Sequence, residues 1–228
     1  MAYQVLLICL AILLLFAGIF ISYSRKYNHT DWGKKWLNLL DGINRWFCYK
    51  YHGLNADLIR LPETGGGILA SNHISGLDPL LLAAACPRPI RFMIAREQYD
   101  RFGLTWFFRS IGCIPVERDK KPERAFREAL RQLHAGEILA IFPHGKIHLD
   151  NDPPRKIKKG VIRLAQISGC QVFPARLEGV RGQGQLIMAV PRRSQARIKS
   201  FEPIFPDVGS TLLHLEKLTA YIEGRLHF

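Results

Sequence analysis

Residues 71–79 read SNHISGLDP. An apolar run, Gly67–Ala70 (GILA), precedes them and a second, Leu80–Ala85 (LLLAAA), follows. The first run has strand character, and Asp78-Pro79 is a good start for a helix through the second. The stretch therefore predicts a strand, a polar loop and a helix in immediate succession. That unit repeats along the chain. Strand patterns fall at 67–71, 89–95, 112–117, 137–143, 170–177 and 197–205, and helical patterns at Pro79–Cys86, Leu104–Ser110, Glu123–Ala135, Gly160–Ser168 and Thr211–Leu226. Alternation of this kind implies an α/β fold, a mixed, largely parallel sheet covered by helices, over residues 61–228. Reactive groups in such folds collect in loops at strand ends, where SNHISGLD lies.

His73 and Asp78 admit two readings. A neutral imidazole can take a proton from an attacking hydroxyl, and an adjacent carboxylate fixes its tautomer. Alternatively, Asp78 only caps the helix that Pro79 begins, and His73 is an ordinary loop residue. On the first reading, Gly76 helps the loop turn so that the two side chains meet.

The N-terminus differs in kind. Val5–Ile21 carries no charged side chain, and with its neighbours it approaches the roughly 20 residues that span a bilayer. No basic residue precedes it and no small-residue cleavage pattern follows, so a transmembrane anchor over 1–24 is expected rather than a signal peptide. Arg25, Lys26, Lys34 and Lys35 lie just beyond the run, which places the rest of the chain on the cytoplasmic side. Residues 25–60 then form an amphipathic segment. Asp31 is positioned to cap a helix, and Trp32, Trp36, Leu39, Leu40, Ile43, Trp46 and Phe47 recur at helical spacing. Such a stripe suits the headgroup boundary or a packed face of the domain.

Composition narrows the function classes. Among 228 residues, 48% are hydrophobic, enough for a real core. The five cysteines are scattered, with no CxxC pair, so a disulfide framework or zinc ribbon is not expected. The 32 Lys and Arg against 19 Asp and Glu give a net charge of +13. Such a surface attracts acidic lipid, phosphorylated substrate or nucleic acid. The basic positions around Arg155–Arg163 and Arg192–Lys199 lack interleaved aromatic platforms, which argues against nucleic acid and leaves a membrane-tethered binding protein as the competing class.

Further strings give the His–Asp reading its weight. NHISGLD at 72–78 resembles the NHxxxxD box of the glycerolipid acyltransferase family, which includes lysophosphatidate acyltransferases. GCIPVERD at 112–119 resembles the second box of that family, FPHG at 142–145 its FPEG box, and residues 157–179 its lysine–glycine helix with the proline-containing motif after it. Four boxes in order over about half the chain are far more specific than one. The resemblance implies transfer of a fatty acyl group from acyl-CoA or acyl carrier protein to the hydroxyl of a lysolipid, foremost 1-acylglycerol-3-phosphate, with no metal and no covalent acyl-enzyme. Carried over, His73 is the general base and Asp78 its orienting partner; Arg118 binds the acceptor phosphate, joined in substrate binding by Asn72, His144, Gly145, Lys146 and Pro174. Membrane lipids and the acyl donor are the partners implied.

The third box departs from pattern. His144 stands where the family has glutamate, and Ile147 where many members have arginine, with Lys146 beside it as a substitute charge. This opens the acceptor to other lysolipids, including those with amino-acid headgroups. His144 and His148, four apart, invite a metal reading as well, but a strand end followed by Pro153-Pro154 is no place for a helical pair, and no metal is expected.

Overall fold

A computed structural model describes residues 2–117, 122–205, 207 and 209–225. The elements run α1 (Ala2–Tyr27), α2 (Lys35–Trp46) with a π-helical extension (Phe47–Tyr51), β1 (Asn55–Ala56), β2 (Gly67–Ser71), α3 (Asp78–Ala85), β3 (Ile90–Ala95), α4 (Arg96–Tyr99), α5 (Thr105–Ser110), β4 (Ile114–Val116), α6 (Pro122–His134), β5 (Ile138–Ile141), α7 (Gly160–Ser168), β6 (Val172–Glu178), β7 (Arg197–Ser200) and α8 (Thr211–Glu223).

Among the described residues the sheet has seven strands in the order β1-β7-β6-β2-β5-β3-β4. Every pairing is parallel except β6 with β7. The central strand β2 is buried on both faces and lies between β5 and β6, with Ile68 opposite Leu139 on one side and Val172 on the other. A parallel strand covered on both faces reads as an unbroken apolar run, which is why GILAS does not alternate. Its alternate residues feed two cores. Leu69 joins Leu77, Leu81, Ile90 and Phe173; Ile68 and Ala70 join Ile162, Leu164, Leu218 and Ile222. Helix α3 thus covers one face, and α6, α7 and α8 cover the other. Because β2, β3, β4, β5 and β6 run parallel, they deliver their loops to one edge of the sheet.

Pro174 fits mid-sheet because of register. Val172 exchanges both backbone hydrogen bonds with Ile204, so residues 172, 174 and 176 turn their amides toward β7. At Pro174 the opposing chain bulges, and only a Phe201 N–H donation to the Pro174 carbonyl is needed. The sheet also takes in Asn55–Ala56, ahead of the domain start expected at residue 61.

Helix α1 includes a 25-residue span, Tyr3–Tyr27, long and apolar enough to cross a membrane, with a mean hydropathy of 3.1 over its most apolar 18 residues. Its apolar side chains are exposed throughout. Helix α2 packs against its end so closely that a Cβ on Gly42 would sit 1.9 Å from the Ser24 carbonyl oxygen.

The fully buried face of α2 lies beside the aromatic stripe rather than on it. Leu37, Asp41, Gly42 and Arg45 are turned inward, while Leu40 and Trp46 are each 41% exposed. Asp41 accepts from Arg45 Nε (2.8 Å), Asn28 Nδ2 (3.0 Å) and Trp32 Nε1 (3.1 Å). Arg45 donates onward to the carbonyls of Ala84 and Cys86 at the end of α3. A buried ion pair with its hydrogen bonds made is tolerated inside; of the stripe's tryptophans, Trp46 is exposed while Trp32 and Trp36 are half-buried. Asp31 does not cap α2, which begins behind Lys34; its Oδ1 instead accepts from the Gly33 amide and Asn38 Nδ2, both at 2.9 Å.

The cysteines are free. Burial pushes the thiols of Cys48, Cys86 and Cys113 up to about 12, so they remain protonated and act as small apolar groups.

Candidate active site

The loop from β2 into α3 decides between the two readings of Asp78. Its side chain makes no bond to the helix amides that follow. It turns back, and Oδ2 accepts from the backbone amides of Ile74 (2.6 Å) and Ser75 (2.8 Å) and from His73 Nδ1 (2.8 Å). Oδ1 accepts from Ser75 Oγ at 2.6 Å. The Leu77 amide is satisfied by Ser75 Oγ instead (3.1 Å). Asp78 has no exposed surface, so these donors replace the water it has lost.

This loop closes because the chain comes in tightly at Gly76. The glycine does not take the left-handed conformation that a turn would ask of it; it is required for close approach, since a Cβ there would lie 1.7 Å from the Leu186 carbonyl oxygen. Gly76 N donates to Gln185 O (3.0 Å), and Gly184 N to Ile74 O (2.8 Å). The 182–186 segment thereby holds the loop from outside.

His73 is oriented on three sides. Its Nδ1 faces Asp78, its ring stacks on Phe142 with centroids 4.1 Å apart, and its carbonyl accepts from the His148 amide at 2.8 Å. Its side chain keeps 16% of its surface exposed. With Asp78 fixed as the acceptor for Nδ1–H, Nε2 carries the lone pair and remains available to a substrate proton.

The other expected site residues divide. Asn72 is spent on structure: its Oδ1 accepts from Leu177 N (2.7 Å) and its Nδ2 donates to Leu177 O (2.9 Å), stitching the end of β2 to β6. Pro174 is buried within β6. Gly145 adopts φ of +75° and Lys146 is exposed. The side chain of Lys158, which sequence reasoning passed over, crosses Gly145 so closely that a Cβ there would meet Lys158 Nζ at 2.8 Å. Arg118 lies outside the described residues. A cleft of about 610 Å³ opens between β4 and α6, lined by Arg96, Arg109, Arg124, Arg127 and Arg131 among others. His73 does not line this cleft.

His144 is 2% exposed and faces α8 rather than solvent. Its Nε2 lies 3.2 Å from Glu223 Oε1. Burial holds His144 below the ordinary imidazole range, against the raising pull of its hydrogen bond to Glu223. Glu223 carries no motif, and nothing near it in the sequence marks it.

This geometry sits on a chain with clear relatives. The family model described as Acyltransferase matches residues 56–178, more than half of the chain. The chain belongs to the acyltransferase family. It is 24% identical over 165 residues to a 1-acyl-sn-glycerol-3-phosphate acyltransferase of Bacillus subtilis, covering 72% of this chain and 79% of that one. It is 33% identical over 107 residues to an N-acylphosphatidylethanolamine synthase of Arabidopsis thaliana, covering 42% and 38%. The crystal structure of a 1-acyl-sn-glycerophosphate acyltransferase from Thermotoga maritima shares its fold, with a TM-score of 0.64 at 20% identity over 92% of this chain and 87% of that one. The protein is therefore an O-acyltransferase with lipid substrates, and its apolar α1 is compatible with membrane association.

Proposed function

We propose that this acyltransferase moves a fatty acyl group from acyl-CoA or acyl carrier protein to the hydroxyl of a lysolipid, with 1-acylglycerol-3-phosphate as the first candidate acceptor. The observation that carries the reading is the His73–Asp78 pair. Nε2 of His73 removes the acceptor's hydroxyl proton as its oxygen attacks the thioester carbonyl carbon. The carbon–sulfur bond breaks, and the proton returns to the departing sulfur as a thiol. Asp78 holds the tautomer and stabilises the imidazolium formed on the way. No covalent acyl-enzyme and no cofactor takes part.

Similarity to bacterial 1-acyl-sn-glycerol-3-phosphate acyltransferases supports this acceptor. Arg118 is assigned to its phosphate, since a guanidinium makes paired, charge-assisted bonds to phosphate oxygens. The arginine-lined cleft between β4 and α6 and the net charge of +13 would draw anionic substrates and anionic lipid. With α1 as anchor, the catalytic domain lies at the cytoplasmic face, as the basic residues following α1 favour.

The third box favours a second acceptor class. His144 is turned into the interior against Glu223, so it does not offer the carboxylate that the family's box presents. A lysolipid with a different headgroup fits a chain altered at this point.

The test is purified protein in detergent micelles, supplied with acyl-CoA or acyl carrier protein and a panel of lysolipids, with products read by mass spectrometry. His73→Ala should lower turnover of the accepted lysolipid by about 10²–10⁴-fold. Unchanged turnover in that variant, for every acceptor, would overturn the mechanism.

A further inference from the structure

We infer that His144, His148 and Glu223 form a binding site for a divalent transition metal of the zinc class, tying the end of α8 to the third-box loop. The inference is independent of the acyl acceptor, and the ion takes no part in the transfer step described above. Its role is to fix the structure around that step.

The three residues each offer one ligand atom, and these atoms all lie within 4.8 Å of one another. Two imidazoles and one carboxylate are a donor set suited to zinc, which takes such ligands tetrahedrally and leaves a fourth place for water. With metal–ligand bonds of about 2.0–2.1 Å, neighbouring tetrahedral ligands sit about 3.3 Å apart. His144 Nε2 and Glu223 Oε1 are already at 3.2 Å, and the two imidazole centroids are 4.5 Å apart.

The site is built rather than incidental. His144 is 2% exposed, and its Nδ1 is buried with no hydrogen-bond partner. Glu223 sits on a helix end that is itself fixed. Gly224 takes φ of +69° as the C-cap, and Arg176 Nη1 donates to the Ile222 carbonyl at 2.6 Å. His148 also has a carboxylate close by, Asp152 Oδ2 at 3.6 Å from Nδ1.

The surrounding charge is mixed. Arg225 lies 3.0 Å from Glu223 Oε2, but its side chain is 61% exposed and its attraction is screened by water. Arg155 also acts on His144. Asp150, bonded to Arg176 (2.6 Å), and Asp152 offset them.

The expectation of no metal rested on the absence of a helical pair, and the absence holds: residues 144–149 are irregular. The loop nevertheless brings the two imidazoles together, and the third ligand arrives from 79 residues away. Since the His148 amide donates to the His73 carbonyl, an ion held here would brace the first-box loop from behind.

The experiment uses the full chain in detergent, stripped with a chelator, then titrated with zinc chloride by calorimetry and with cobalt chloride by visible absorption. One equivalent of zinc should bind, raise the Tm and give cobalt the intense bands of a tetrahedral site. His148→Gln and Glu223→Gln should each weaken binding by about 10–100-fold, while His134→Gln, on an exposed position of α6, should bind as the parent does. Circular dichroism of the metal-free variants checks their folding. If one variant fails to fold, the other decides, and the cobalt spectrum of the parent decides without either. Weak octahedral bands in the parent, or equal affinity in a folded variant, would overturn the site.

Discussion

Two histidine–carboxylate pairs lie at the same edge of this sheet, and they are built on opposite plans. His73 and Asp78 are five residues apart in one loop; His144 and Glu223 are 79 apart, on a loop and a helix. Asp78 is wholly buried and takes four hydrogen bonds, while its histidine keeps a partly open ring. In the second pair the histidine is the buried member, and one of its nitrogens has no partner. A carboxylate saturated by its own loop is locked and can only orient its imidazole, which leaves that imidazole free to exchange a proton with substrate. A buried imidazole set against a helix-end carboxylate, with a second imidazole beside it, is arranged to hold a ligand of its own.

The largest expected effect tests the first half of that contrast. Asp78→Asn keeps the size of the side chain but replaces one accepting oxygen with a donor, which must then face an Ile74 or Ser75 amide, His73 or Ser75 Oγ. The histidine loses its tautomer control, and turnover should fall by about 10²–10⁴-fold at saturating substrate. Steady-state kinetics with the accepted lysolipid checks it. A variant within threefold of the parent would show that Asp78 only shapes the loop.

The next effect separates the loop's geometry from its chemistry. Gly76→Ala alters neither side chain of the His73–Asp78 pair but sets a Cβ against the Leu186 carbonyl. Backbone on both sides has to move, and overpacking of this kind costs roughly 2–3 kcal/mol. Thermal unfolding should show that loss, with turnover reduced as His73 is displaced. Gly76→Ala with parental stability and activity would mean that the 182–186 segment does not hold the loop.

The same contrast explains what could be read in the sequence. The first pair was legible because it is local: a strand run, a turn glycine and an Asp-Pro helix start put His73 and Asp78 within reach of each other. The strands and helices were legible for a related reason, since apolar runs such as GILAS and EILAIF are buried on both faces wherever they lie in a parallel sheet. The second pair was not, because Glu223 meets His144 only through the packing of α8 across the sheet. Helix α2 was legible only in part, for a physical reason. Its stripe left open a headgroup boundary or a packed face, and the residues that go fully inside include Asp41 and Arg45, which satisfy each other, a pairing that hydrophobic periodicity cannot register. Gly76 was singled out for the right loop and the wrong property, since a carbonyl from residue 186 is invisible at residue 76.

The smallest effect concerns a third histidine, one with no carboxylate. His52 is fully buried, packed edge-on against Phe47 at 4.6 Å and Tyr51 at 5.0 Å. Its Nε2–H donates to the Val190 carbonyl at 3.1 Å. Burial lowers its pKa, partly opposed by that carbonyl. The sign follows from linkage. Above the ordinary imidazole value of about 6.5 the ring is neutral in both the folded and the unfolded chain, and it contributes no pH dependence. As pH falls through that value the unfolded chain takes up a proton that the folded chain refuses, so stability is lost on the acidic side. His144, also lowered, adds to the same slope, and the readout is therefore a difference. His52→Gln should start less stable than the parent at pH 8 yet lose less between pH 7 and 5, measured by denaturant unfolding. Parallel slopes would mean that the acid sensitivity does not reside in this core imidazole.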